Sequence, residues 1–249
     1  MRLSFSRPTS TSAERDELFS QFGPVGYAGL QLKANQYRDY IDDPQGFLDQ
    51  WGSYPGVAPE LITMSDLTPA GQTALRKLVS FAAAVGAERV VFVQNLSRQD
   101  SDEGEAEEFA HVFSDIGREA RDMGVALSLH HHYNQPVMVR DEIEAFFDRV
   151  GDDSVGLTID TAHLVKSREE DVAGIIRDFR AVIDNFHLKD FGDGNWQVLG
   201  HGKIDFAPIV SAIHEIGYDG WICADEESGG DLVGGPQECF QYMQTRLLE

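Results

Sequence analysis

The stretch Val125-Ala126-Leu127-Ser128-Leu129-His130-His131-His132 is an apolar run that stops on three consecutive histidines. A short run of this kind, preceded by Gly124, reads as a strand buried on both faces. The same layout recurs three times. Gly156-Leu157-Thr158-Ile159 leads into Asp160-Thr161-Ala162-His163, Asn185-Phe186 into His187-Leu188-Lys189-Asp190, and Trp221-Ile222-Cys223-Ala224 into Asp225-Glu226-Glu227. Four strands that each end in His or carboxylate make one site only if their C-terminal ends lie together. The pattern therefore predicts both an architecture and a metal.

Working outward, the chain alternates short apolar runs with longer amphipathic ones. Further strand candidates are Leu3–Phe5, Gly29–Leu32, Leu61–Met64 and Arg89–Gln94, which makes eight with Val125–His130, Val155–Asp160, Asn185–Lys189 and Trp221–Asp225. Between them Gly71–Val85 and Glu105–Met123 carry apolar residues near 3.6 spacing, and Asp141–Val150, Asp171–Val182 and Pro208–Ile216 follow. Gly86, Gly124 and Gly217 each stand where a helix should stop before a strand. Such alternation indicates a parallel sheet. No Gly-x-Gly-x-x-Gly follows the first strand, which weighs against dinucleotide binding. Eight strands with chemistry at their ends point to a (β/α)₈ barrel, whose active sites form at the C-terminal ends of the strands. We expect one domain over residues 1–249, with 35–59 as a long loop containing a short helix around Pro44–Trp51.

Composition narrows the function classes. The formal net charge of −22 argues against nucleic acid and anionic membrane surfaces as partners. The densest acidic run, Asp100 to Glu108, reads as a solvated helix start. No apolar stretch approaches the roughly 20 residues of a membrane span. Met1–Pro8 lacks a long apolar segment, so no secretory signal is expected and cytoplasm is the default. Two cysteines give no disulfide framework, and Cys223 reads as a small buried hydrophobe.

The residue types at the strand ends suggest their roles. Asp160 is either a metal ligand or the N-cap of the next helix. Alternation places His187 and Lys189 on one face, and a neutral imidazole there suits a carboxylate-held divalent ion. His130 and His132 share a face opposite His131, and could bind metal or hold a substrate oxygen. Asp225 and Glu227 fall on one side of the last strand and Glu226 on the other, and one of Asp225 and Glu226 is expected to reach the metal.

Leu129-His130-His131-His132, Ile159-Asp160-Thr161-Ala162-His163-Leu164, Phe186-His187-Leu188-Lys189-Asp190, Leu199-Gly200-His201-Gly202-Lys203-Ile204-Asp205-Phe206 and Gly217-Tyr218-Asp219-Gly220-Trp221 together resemble the sugar phosphate isomerase/epimerase family. That family is the xylose-isomerase-like TIM barrel group, which also holds keto-inositol dehydratases, ketose 3-epimerases and endonuclease IV. The resemblance spans roughly residues 125–227. It implies a Glu-Asp-His-Glu site for Mn²⁺, Mg²⁺, Co²⁺ or Zn²⁺. Asp160 and His187 match its second and third ligands, and Asp225, then Glu226, is nearest to the fourth. The first departs: His130 stands where ketose epimerases carry Glu, and the Glu found in relatives with a His-x-His strand end is here Gln135.

The same resemblance makes Glu226, His163 and Lys189 the candidate acid/base groups. His130, His132, His163, Lys189 and His201 become candidate substrate contacts. The implied activity is a metal-dependent isomerase or epimerase working by proton abstraction next to a carbonyl of a keto-sugar or cyclitol. An inosose-type dehydratase is the alternative, and a non-catalytic sugar-binding barrel or an endonuclease IV-like nuclease stands further off. A homo-oligomer is compatible with this reading.

Overall fold

The computed structural model describes residues 1–100, 103–150 and 153–247. Seven parallel strands come first: β1 (Arg2–Ser6), β2 (Gly29–Leu32), β3 (Glu60–Ser65), β4 (Arg89–Gln94), β5 (Ala126–His130), β6 (Gly156–Asp160) and β7 (Ile183–Leu188). An antiparallel hairpin of β8 (Asp190–Gly192) and β9 (Asn195–Gln197) intervenes. The eighth barrel strand, β10 (Trp221–Asp225), then pairs with both β7 and β1 and closes the barrel. The eight expected strands are all present with small shifts at their ends. The hairpin had no counterpart in the sequence reading.

Helices wrap the outside: α1 (Ser12–Val25), α2 (Ala34–Tyr37), α3 (Pro44–Trp51), α4 (Pro69–Val85), α5 (Glu103–Asp122), α6 (Arg140–Val150), α7 (Thr161–Lys166), α8 (Val172–Asp178), α9 (Phe206–Glu215) and α10 (Gly234–Leu247). Local chemistry sets their ends. Thr68 caps α4 by accepting the Gly71 N–H, Pro69 opens it, and Gly86 at φ 78° closes it. Helix α8 stops short of the expected Val182 because that residue already belongs to the sheet edge, its carbonyl accepting the Leu157 N–H at 2.8 Å. In the acidic run, Ser101 and Asp102 lie outside the described residues, and α5 starts at Glu103.

Strand alternation divides the apolar residues into two populations. Leu61, Val90, Phe92, Leu129, Leu157 and Phe186 point outward and pack with the helices in the main core. There Phe92 meets Phe113 at 4.9 Å between ring centroids, and Phe109 meets Phe146 at 5.4 Å. The inward residues are mostly polar. Near the N-terminal end of the barrel Ser4 donates to Glu60 at 2.8 Å, and Arg89 lies 3.5 Å from Glu60 and 3.2 Å from Asp184. Ser128 links this floor to Asp184 and Thr158, at 2.6 and 2.7 Å. A floor of hydrogen-bonded charges leaves the opposite, C-terminal rim for chemistry.

Glu60 is wholly buried and Arg89 nearly so. Removing the guanidinium strands a buried carboxylate, which costs about 3–5 kcal/mol. Arg89→Met should therefore lower the unfolding free energy from urea titration by that amount with an unchanged m-value. A shift within about 0.5 kcal/mol would show that the floor does not depend on Arg89.

Candidate metal centre and active site

Asp160 sits at the end of β6, fully buried, with its carboxylate divided between two surroundings. Oδ1 caps α7 by accepting the His163 N–H at 2.9 Å. Oδ2 has no hydrogen-bond donor. It faces Nε2 of His130 at 3.4 Å and Nδ1 of His187 at 3.7 Å. The two sequence readings of Asp160, cap and ligand, are thus compatible, one per oxygen. Burial opposes the carboxylate's charge, but His163, His130, His187 and Lys189 outweigh it and hold its pKa well below the usual range.

Register brings these groups level. Asp160 pairs with His187 across β6 and β7, and His187 with Cys223 across β7 and β10. His187 Nε2 lies 3.0 Å from Oε1 of Gln31, a buried residue of β2 across the barrel. An amide oxygen only accepts, so the imidazole proton belongs on Nε2. Nδ1 then offers a lone pair towards Asp160 Oδ2, and neither atom has a partner. Two unpaired acceptors facing one another is the arrangement a cation resolves. Sequence reasoning missed Gln31, though Gln31 and Lys33 at the end of an apolar strand carry the same signal as the other strand ends.

Asp225 ends β10 on the same side, and one oxygen or nitrogen each from Asp160, His187 and Asp225 lies within 4.8 Å of the others. His130, Asp160 and His163 form a second such group. Both oxygens of Asp225 also meet ammonium groups, Lys33 Nζ at 2.7 Å and Lys189 Nζ at 3.1 Å. Lys33 further reaches Glu227 at 2.8 Å, and Lys189 pairs with Glu227 as well. Burial works against both ammonium charges, yet Asp225 and Glu227 raise the pKa of each lysine, which keeps them protonated. Burial likewise opposes the charge of Asp225, and Lys189 and Lys33 push its pKa down.

The triple histidine splits as alternation predicts. His130 and His132 line the cavity, whereas His131 turns away and accepts the Asp160 N–H at 2.9 Å. His132 and His163 lie 3.9 Å apart between centroids with their rings tilted by 37°, and Trp196 of the hairpin lies 4.9 Å from His163 and 4.7 Å from Lys189 Nζ. The Tyr133 peptide sets opposite tautomers in this pair. Its carbonyl lies 2.9 Å from His132 Nδ1, and its N–H donates to His163 Nδ1 at 3.2 Å. His132 therefore presents a bare Nε2, and His163 an Nε2–H. Burial lowers both pKa values, that of His132 to about 4.

Three expected site residues lie elsewhere. Glu226 points to the outer face of β10, where Oε1 accepts the Ser228 N–H at 2.7 Å and Oε2 lies 3.6 Å from Arg7. It joins the segments that follow β10 and β1, and it is not among the residues lining the mouth cavity. Gln135 is turned into a loop, with Oε1 accepting the Leu96 N–H at 3.1 Å. His201 stands 63% exposed beside Glu238, in a different surface hollow. The reason is Asp190, whose carboxylate accepts the N–H groups of Phe191, Gly200 and Gly202 and so folds this loop around itself. A Cβ on Gly202 would come 2.1 Å from Asp190 Oδ1, so the Gly-His-Gly turn serves that carboxylate.

The mouth cavity has a volume of about 180 Å³. A larger hollow of about 480 Å³ opens at the N-terminal end of the barrel, beside Glu88, Arg121 and Asp184, away from the ligand cluster. The buried His/Asp cluster is consistent with a divalent metal site. Mixed imidazole and carboxylate donors suit Mn²⁺, Co²⁺ or Zn²⁺, and the orphaned Asp160 Oδ2 and His187 Nδ1 supply a place for the ion.

Losing the partner that orients a ligating histidine costs about 10–100-fold in metal affinity. Gln31→Leu should weaken Zn²⁺ by that factor in competition with a chelator, and an unchanged Kd would remove Gln31 from the site. Acid should also destabilise the metal-free chain. Burial holds His131 at about 3 and His132 at about 4, against 6.5 for a free imidazole. Between about pH 6.5 and those values the unfolded chain binds protons that the folded chain refuses. This contribution is complete above about pH 6.5 and is lost on acidification, by about 1.4 kcal/mol per pH unit for each histidine. Urea midpoints followed from about pH 7 to about pH 4 should fall accordingly, and less steeply in His132→Asn; equal slopes would contradict the assignment.

Comparison with known proteins places this arrangement. An inosose dehydratase of Lacticaseibacillus casei is 33% identical over 142 residues, 49% of this chain and 47% of its own length. The chain thus spans about half the length of the curated relatives it matches. Among solved structures, an L-ribulose 3-epimerase superposes with a TM-score of 0.81 at 18% identity, covering 99% of this chain and 94% of that one. An IolI protein solved with a bound zinc atom has a TM-score of 0.79 at 16% identity, covering 99% and 98%. These two likenesses show the fold. The family described as the xylose isomerase-like TIM barrel matches residues 25–243, and the chain belongs to that family.

Proposed function

We propose that this chain is a divalent-metal-dependent enzyme that takes a proton from the carbon next to the carbonyl of a keto-sugar or cyclitol and releases the β-hydroxyl as water. The observation that carries this reading is the facing pair of unpartnered acceptors, Asp160 Oδ2 and His187 Nδ1, buried and clustered with His130 and Asp225, which line the mouth cavity. Asp160, His187, Asp225 and His130 would hold the ion. A divalent cation there supplies Lewis acidity to a carbonyl oxygen.

The remaining groups divide into one base and several donors. His132 Nε2 is the bare nitrogen that accepts the carbon-bound proton. His163 Nε2–H hydrogen-bonds a substrate oxygen. Lys189 Nζ, kept protonated by Asp225 and Glu227, gives its proton to the departing hydroxyl. The C–H electron pair becomes the new C=C bond, the C–O bond breaks, and water leaves. Imidazolium and amine then exchange the proton through solvent. Trp196 and the hairpin cover this side of the site.

Isomerisation or epimerisation would share the first step and return the proton to carbon. The carboxylates favour elimination. Glu226 is turned away, His130 replaces a Glu, and Asp225 and Glu227 are both held by lysines, so among the described residues no free carboxylate pair stands astride the cavity. The inosose dehydratases among the relatives agree in reaction type.

An inosose and a ketohexose incubated with the Mn²⁺-loaded protein in D₂O separate the outcomes. Elimination consumes substrate and produces the ultraviolet absorbance of a conjugated ketone. Epimerisation gives a new diastereomer with deuterium at the α-carbon and no such absorbance. His132→Asn should lower kcat by about 10²–10⁴-fold. Neither exchange nor product with Mn²⁺, Co²⁺ or Zn²⁺ would sink the enzyme reading.

A further inference from the structure

Six of the eight strands bring polar or charged side chains to the inner rim of the barrel, and β3 and β4 do not. Alternation turns Leu61, Val90 and Phe92 out to the helices and Ile62, Met64, Val91 and Val93 inward. Ile62, Met64 and Val93 form one wall of the mouth cavity, with Asp225 of β10 on the far side of the barrel. Met64 and Val93 are register partners, and one residue beyond the Phe92–Leu129 pair Val93 comes beside His130. Ala34 extends this wall, and Thr63 brings the one side-chain hydroxyl to its edge, while the Tyr37 hydroxyl donates to the Ile62 carbonyl at 2.9 Å. Gln94, next along β4, points to a separate hollow beside Asp66 and Leu96. Met64 is 51% exposed although it stands inside the mouth.

A fully hydroxylated ring in this cavity would press hydroxyls against the inward side chains of Ile62, Met64 and Val93, which offer no hydrogen-bond donor. Each would give up water for nothing. The rest of the lining, with Lys33, His130, His132, His163, Asp225 and Glu227, holds the polar groups.

We infer that the substrate is amphipathic in the plane of its ring or chain: its edge facing β3 and β4 lacks a hydroxyl, so the ligand is a deoxygenated keto-cyclitol or keto-sugar. This rests on the proposed reaction at the same site. It separates the chain from a catalyst for a fully hydroxylated inosose. Met64 and Val93 are its specificity-determining residues.

The test is a series comprising one inosose and its monodeoxy analogues, with the deoxygenated carbon moved around the ring, assayed with the Mn²⁺-loaded protein. One monodeoxy analogue should exceed the parent in kcat/KM by about 10²-fold, the discrimination an apolar pocket exerts against an added hydroxyl. Met64→Gln, on an exposed side chain, and the isosteric Val93→Thr should each cut that ratio by about tenfold by giving the hydroxyl a partner. A parent preferred over every analogue, or a ratio indifferent to both substitutions, overturns this inference and leaves the reaction standing. Turnover of no member of the series overturns the proposed reaction and the inference with it.

Discussion

Asp160 is taken fully out of water, and a buried carboxylate is tolerated only when its surroundings restore what water supplied. The surroundings do this incompletely. His131 holds the backbone, the start of α7 satisfies Oδ1, and Oδ2 is left facing imidazole nitrogens. The helix cap fixes the carboxylate's orientation, and the unpartnered oxygen then points at His187. Gln31 orients that ring from the far side of the barrel. One constraint, the placement of a charge that the protein alone does not satisfy, thus organises β2, β5, β6 and β7 around a common point.

The second feature of the site is its asymmetry, which follows from strand parity. Each strand shows alternate residues to the barrel interior, so the rim is a ring of independent choices. Six strands present hydrogen-bonding groups, while β3 and β4 present Met64 and Val93. Charges within the polar arc are sorted too. Lys33 and Lys189 clasp Asp225 and Glu227 on one side, and the Tyr133 peptide sets two neutral imidazoles in opposite tautomers on the other. A site with separate proton donors and a separate bare nitrogen suits a reaction whose two proton transfers differ in kind.

Much of this was legible along the chain because strand ends announce themselves. Apolar runs ending on His130, Asp160, His187 and Asp225 located four corners of the cluster. Period-two alternation correctly set His131 against His130 and His132, and Glu226 against Asp225 and Glu227. Motif likeness misled where it ranked residues by nearness to a pattern. Glu226 fits by position yet lies on the wrong face, Gln135 is drawn off by the Leu96 amide, and His201 rides on a turn built around Asp190. Gln31 escaped because its partner is distant in sequence, 156 residues away for the pair with His187.

The sequence by itself determined the eight-stranded alternation, the end of the barrel that carries chemistry, and the face on which each strand-end residue stands. Those are local properties, set by periodicity and by the side chains that stop each strand. Only the tertiary structure decided which of those residues meet, because stagger between neighbouring strands sets their relative height. It placed Asp160 level with His187, left Oδ2 without a donor, gave both oxygens of Asp225 to lysines, and made β3 and β4 the apolar wall of the mouth. Partnership across a closed barrel depends on shear and register, which no single segment encodes.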